Sequence, residues 1–252
     1  MRPAGLLVAA MLPLATAAHA TNADAVLATP RQVVESADYR ATGHLVRVDA
    51  NGQRTSYAVA LKAHWFPGVL RVQFEITSPA EARTHILLEM RPNEQNSIQI
   101  AKPGNTVPTA LPFDKWSDGP LGPGFSFEDF LEPQYFWPGQ AVLQQAKYGA
   151  RDCTILKSTP GKADRTHYAE VRTWVADAIG FPVYVEKTLR GSGLVKEFTY
   201  FGLRQDQGTW SASQVEVKMR GHAGSTLLII DRGKPKANLV LKDFSPAQLT
   251  HF

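Results

Sequence analysis

Two-residue alternation constrains this chain more than any other feature. Tyr57, Val59, Leu61, Ala63 and Trp65 recur at every second position. Pro67-Gly68 then turns the chain, and Leu70, Val72, Phe74 and Ile76 alternate with Arg71, Gln73 and Glu75. That period belongs to a β-strand with one buried face, because successive side chains of a strand point to opposite sides. Asn51-Gly52 just before the first of these runs is a strong two-residue hairpin signal. The last hundred residues repeat the pattern as a meander, with turns at Gly191-Ser192-Gly193 and 205–208. In all, the sequence predicts about eleven strands, joined mostly by short turns and therefore pairing antiparallel. Three short helices complete the reading. One starts at Thr29-Pro30, one at Ser126 with a Ser-x-x-Asp capping box to Asp129, and one at Ser245-Pro246.

Such a sheet is too wide to stay flat. Twist curls it into a barrel, a half-barrel or two packed layers, and its inner apolar face must be covered. The stretch 102–125 holds five prolines and four glycines and interrupts the strands as an irregular loop. From its last residue onward come Phe125, Phe127, Phe130, Tyr135 and Trp137. Two readings follow from the residues alone: these rings form a lid over a groove that holds an apolar ligand, or they complete the core of a sandwich.

The first twenty residues are expected to be a cleaved export signal. Arg2 precedes an apolar run over 6–14, too short to span a membrane, and Ala18-His19-Ala20 has the small-x-small cleavage pattern. With no cysteine near the cut, a lipid anchor is not expected. Residues 21–252 then form one domain. The single cysteine, Cys153, excludes an intramolecular disulfide and is read as a small core hydrophobe. The net charge is +4, with basic residues spread singly along strands, which argues against nucleic acid as a partner.

No catalytic constellation emerges. The sequence lacks a Gly-x-Ser-x-Gly elbow, a His-Glu-x-x-His helix and a phosphate-binding glycine loop. His44, His64, His85, His167, His222 and His251 show no ligand spacing, so no metal and no cofactor is expected, although His64 and His85 could meet across neighbouring strands. Glu128, Asp129 and Glu132 read as acids at a helix start rather than as a catalytic cluster, and Ser126 as a cap rather than a nucleophile. Glu186 and Lys196 are expected to form a cross-strand ion pair.

The ordered set of motifs resembles the outer membrane lipoprotein-sorting protein family, the LolA-like periplasmic carriers. Residues 121–130, LGPGFSFEDF, resemble its G-x-x-F-S-Y-E-D signature. Gly149-x-x-Asp152-Cys153 with Pro160, Tyr168 with Trp174-Val175, and Pro182, Glu186, Gly193 and Lys196 follow in the family's order, as do Phe244-Ser245 and Leu249. The resemblance implies a mainly β fold: a half-open, incomplete antiparallel β-barrel with a helical lid. It further implies a periplasmic carrier of lipoprotein acyl chains or another lipid, with an inner-membrane export permease as a partner. The arginine that holds the lid of the well-understood carriers has no counterpart in the stretch Leu61-Lys62-Ala63-His64-Trp65. On strand parity, the expected cavity residues are Trp65, Leu70, Val72, Phe74, Ile76, Ile86 and Leu88, and the expected lid residues are Phe125, Phe127, Phe130, Tyr135 and Trp137. The alternative on this scaffold is a non-enzymatic, envelope-sensing interaction protein.

Overall fold

A computed structural model describes residues 22–92, 94–121, 124–206 and 208–252. The expected export signal and its cleavage site after Ala20 lie outside the described residues. After one helix, α1 (Ala23–Glu35), the chain runs through β1 (Asp38–Val48), β2 (Arg54–Phe66), β3 (Val69–Ser78), β4 (Thr84–Met90), β5 (Ser97–Ala101) and β6 (Thr109–Ala110). It then resumes with β7 (Gly139–Tyr148), β8 (Arg151–Thr159), β9 (Tyr168–Ala176), β10 (Phe181–Leu189), β11 (Val195–Asp206), β12 (Thr209–Met219) and β13 (Ser225–Pro235). A short closing helix, α2 (Pro246–Leu249), is capped by the Ser245 hydroxyl as its sequence predicts.

The thirteen strands among the described residues form one sheet in the order β6-β5-β4-β3-β2-β1-β13-β12-β11-β10-β9-β8-β7. Every pairing is antiparallel, and the sheet is not closed into a barrel. The expected half-open, mainly β fold is therefore present, with the strand count raised from about eleven. One addition is β6, two residues paired with Gln99 and Ile100 inside the Pro/Gly-rich stretch that reads as pure loop.

This order has a consequence for the chain between β6 and β7. Those two strands are neighbours in sequence but lie at opposite margins of the sheet. Their connection, 111–138, must therefore cross the sheet from edge to edge. It does so as a strap over the inner face, containing single turns of 3-10 helix at Phe127–Phe130 and Pro133–Phe136. The sheet curls enough that Leu156 of β8 shares a core with Phe74 and Leu88 of β3 and β4, and the strap residues Trp116, Phe127, Leu131 and Tyr135 complete that core.

Helix α1 begins earlier than its Thr29-Pro30 signal suggests. Asn22 is the N-cap, its side chain accepting from the Asp24 amide at 3.0 Å, and Pro30 lies inside the helix. An interior proline costs about 3 kcal/mol. Burial of Leu27, Pro30 and Val34 along one helix face offsets that cost, at roughly 1.5–3 kcal/mol for each large aliphatic side chain. The outer face of the sheet is covered in part by the C-terminal tail, where Leu239, Phe244 and Leu249 pack on Leu87 and Ala101. His64 and His85 do not meet, because β3 separates their strands. His64 pairs with Asp38 at 3.2 Å, and His85 Nδ1 lies 2.9 Å from the Leu249 carbonyl.

The two halves of the sheet join where β1 pairs with β13, and the register slips there beside Gly43. A Cβ at Gly43 would collide with the Ile229 carbonyl of the facing strand. Gly43→Ala is therefore expected to destabilise the fold by about 1–3 kcal/mol, the usual range for overpacking. Urea unfolding measures this, and an unchanged midpoint would mean that the seam shifts freely.

Candidate functional site

The inner face beneath the strap is apolar on one side and charged on the other. On the apolar side, Leu70, Val72, Phe74 and Ile76 of β3 and Ile86 and Leu88 of β4 are all buried in one core cluster. Trp65 of β2 is partly buried and stacks on Phe136 of the strap at 5.9 Å between ring centroids. Phe130 sits on Phe74 at 4.2 Å, and Phe125 packs on Phe130 at 4.7 Å and edge-on to Phe198 at 6.1 Å. Phe127 and Tyr135 join the core of β2–β4, whereas Phe125 and Trp137 join a second one with Tyr168, Val171, Val185, Phe198 and Val217. The strap rings thus lie directly against the inner face of the sheet. A cavity of about 10 Å³, lined by Trp116, Glu128, Gln134, Arg165 and Lys187 among others, lies beside the strap.

On the charged side, Asp129 is the centre. Its side chain is fully buried and meets two ammonium groups: Lys196 at 2.9 Å and Lys187 at 3.2 Å. It also accepts from the Tyr168 hydroxyl at 2.5 Å, the Ser126 hydroxyl at 2.7 Å and the Ser126 amide at 2.8 Å. Burial opposes the charged form of Asp129. The two lysines and these donors outweigh it and hold the carboxyl well below the usual carboxylate range. Lys187 and Lys196 face each other across β10 and β11, each at an inward position in line with Val185 and Phe198. Two like charges in that register repel, and the strap carboxylate between them resolves the conflict. The capping box read from Ser126 and Asp129 is present, but its acid also closes an ion triad between strap and sheet.

Glu128 and Glu132 of the strap differ from it. Glu128 accepts from the His167 amide at 3.2 Å and the Thr166 hydroxyl at 3.4 Å. Glu132 accepts from the Tyr200 hydroxyl at 3.2 Å, and burial pushes its carboxyl up despite the pull of Lys187. Further ties reach the strap from elsewhere in the fold. Arg31 of α1 donates to the Tyr135 carbonyl at 2.7 Å, Arg47 of β1 to the Leu121 carbonyl at 2.7 Å, and Gln140 of β7 to the Gln134 and Trp137 carbonyls at 2.8 Å each.

The expected Glu186–Lys196 ion pair does not form. The register sets Glu186 opposite Glu197 and Lys196 opposite Lys187, which puts the acids and the lysines on different faces. Arg220 bridges the two acids on the outer face, at 2.5 Å from Glu186 and 2.7 Å from Glu197. Lys187, Tyr168 and Arg31 escape the sequence reading as strap contacts. A signal for the lysines is present, since each occupies an inward slot of an alternating strand, where a cation needs a buried counter-ion. Ser126 and Lys196 lie 2.9 Å apart, a distance also found between a nucleophile and its base. Here the Ser126 hydroxyl donates to Asp129 and the residue is 1% exposed, so the pair is a structural tie. Cys153 is buried against Ala176 and Val183 on the outer face, and burial raises its thiol pKa.

The mainly β fold, with its unclosed antiparallel sheet, is LolA-like. An outer membrane lipoprotein-sorting protein domain from Vibrio parahaemolyticus superposes with a TM-score of 0.81 at 18% identity, covering 91% of this chain and all of that one. A DUF1329 family protein from Desulfovibrio piger superposes with a TM-score of 0.78 at 16% identity, covering 90% of this chain and 97% of that one. A LolA superfamily protein from Nitrosomonas europaea gives 0.67 at 16% identity, covering 91% and 100%. No curated protein matches the sequence. A family model described as "uncharacterized protein" matches residues 73–251, and the chain belongs to that family. The match takes in the strap, the ion triad and every strand from β4 to β13.

The strap carboxylates predict opposite pH signatures. The stabilisation from Asp129, whose folded-state pKa is depressed, is complete above its unfolded value of about 4 and is lost as the pH falls below it. Asp129→Asn leaves two buried ammonium groups without their counter-ion, a loss of about 3–5 kcal/mol. In a chain of this size that is a fall in Tm of roughly 10 °C at neutral pH, measured calorimetrically. Glu132, with a raised folded-state pKa, loses stabilisation as the pH rises from about 4.3 through that higher value. The stability of Glu132→Gln relative to the natural protein should therefore improve between pH 4 and pH 8. A difference that stays flat across that window would remove Glu132 from the buried network.

Proposed function

We propose that the protein is a periplasmic carrier that holds acyl chains of lipoproteins, or of another lipid, between the inner face of its sheet and the strap. One observation carries this reading: the apolar face of β2–β4 is roofed by a connecting segment rather than by a second sheet. In this proposal Trp65, Leu70, Val72, Phe74, Ile76, Ile86 and Leu88 line the site, and Phe125, Phe127, Phe130, Tyr135 and Trp137 form a lid that occupies the site at rest. Transfer of a methylene from water contributes about 0.8 kcal/mol, so a sixteen-carbon chain brings on the order of 10 kcal/mol before ordering costs. Against it stand the loss of the Asp129 contacts, about 3–5 kcal/mol for a broken buried ion pair, and the ring burial that the acyl chain would replace. Carriage needs neither catalytic groups nor a cofactor. The export signal expected over residues 1–20 supports the periplasm as the place of action, and among the described residues no helix is long and apolar enough to cross a membrane. The superposition on a lipoprotein-sorting domain agrees with cargo bound for the outer membrane, and an inner-membrane export permease is the proposed loading partner.

A second reading, a regulatory interaction protein on the same scaffold, draws support from the close fit of strap to sheet, with only about 10 Å³ of space in the cavity beside them. Native mass spectrometry of the mature protein from periplasm, followed by lipid extraction, separates the two. A discrete added mass that extracts as an acyl lipid is expected. Phe130→Ala, which removes the ring resting on Phe74, should raise the uptake of a fluorescent fatty acid several-fold. Protein that is free of lipid and takes up no fatty acid, in the natural form or in Phe130→Ala, would overturn the carrier reading in favour of the interaction protein.

A further inference from the structure

The outer face carries a second concavity, remote from the strap. It has a volume of about 320 Å³ and is lined by Arg40, Thr42, Ala60, Lys62, Glu75, Arg232 and Lys234, with Ala41, Leu61 and Gly233 at its walls. The strand register explains both its shape and its charge. Arg40 of β1 lies directly opposite Lys62 of β2 on one side and Lys234 of β13 on the other. Three cations therefore stand in one row across three adjacent strands. In the next row Thr42 of β1 lies between Ala60 of β2 and Arg232 of β13, and the two small side chains leave the hollow.

Like charges directly opposite each other in an antiparallel pair destabilise it, and this row contains two such pairs. The acids nearby compensate only in part. Arg40 pairs with Asp243 of the C-terminal tail at 3.0 Å, and Lys62 lies 3.9 Å from Glu75. Lys62 forms the floor, its side chain only 12% exposed, and its ammonium lies 5.7 Å from the centre of the Phe244 ring. Arg232 and Lys234 are exposed at the rim. An anion with several acceptor oxygens would satisfy a row of ammonium and guanidinium groups in this spacing, with the Thr42 hydroxyl as a further donor.

We propose that this groove is a binding site for a phosphate group, presented either by an anionic phospholipid headgroup or by a free phosphate. The site is separate from the acyl-chain site and does not depend on it. Its occupant relieves the repulsion along the Lys62–Arg40–Lys234 row, with Arg232 closing over the bound oxygens. On a lipid headgroup, it would set the outer face of the sheet against a membrane surface while the strap and inner face look away.

Two probes test this at low ionic strength: inorganic phosphate by calorimetric titration, and vesicles of phosphatidylglycerol in phosphatidylcholine by flotation. The variant is Arg232→Gln/Lys234→Gln, whose exposed side chains leave the fold intact. Its control is Lys147→Gln/Arg151→Gln, the same loss of charge on the β7–β8 hairpin. Vesicle binding is expected to fall by about thirtyfold in the first variant, roughly fivefold for each basic residue at an anionic surface, and to change little in the control. Phosphate binding that is lost in the first variant, without vesicle binding, would assign the site to a free phosphate. Equal losses in both variants would reduce the effect to net charge, and no binding of either probe would remove the site; either result overturns the proposal. Uptake of a fluorescent fatty acid by the same variants reports separately on the strap, so failure here and failure of the carrier reading are distinguishable.

Discussion

The buried meeting of Asp129 with Lys187 and Lys196 holds the strap against the sheet. A sheet of thirteen strands in this order leaves one apolar face without a partner layer, and among the described residues the β6–β7 connection covers it together with Leu27 and Val34 of α1. Glycine and proline make that connection irregular, so it cannot secure itself through a backbone ladder. Its attachment comes from side chains: rings that fill the inner face, and one carboxylate that neutralises two cations the sheet cannot otherwise bury. Removing the carboxylate strands both cations in a dry interior.

The combination divides labour between adhesion and specificity. The rings supply most of the contact energy, but ring-on-ring packing tolerates sliding. The ion triad has one geometry, fixed by five donors to a single carboxylate. Arg31 and Arg47 add ties near both ends of the aromatic stretch.

Much of the fold was legible in the sequence because β-alternation is a local signal. The parity of Leu70, Val72, Phe74 and Ile76 placed them on the buried side together with Ile86 and Leu88, and the structure gathers all six in one core. The start of α1 was hidden because Pro30 mimics a first-turn proline, whereas packing of Leu27 and Val34 extends the helix past it. β6 was hidden because two paired residues leave no period to read. The partners of Lys196 were hidden for a different reason. They depend on register, and register depends on where β10 and β11 begin, which turn residues alone do not fix. The family motif around Ser126 and Asp129 marked the right segment, yet its chemistry became visible only with the facing strands in place.

The route of the strap has one mechanical consequence. A flap hinged at one end swings aside, but this segment is fastened to the outermost strand at each margin of the sheet, as a string is fastened to both tips of a bow. Anything pushed beneath it must either draw slack from the proline-rich stretch or bend the bow further. The thickness of whatever lies inside is thereby translated into the curvature of the sheet, and the back of the bow is the face that carries the Lys62–Arg40–Lys234 row.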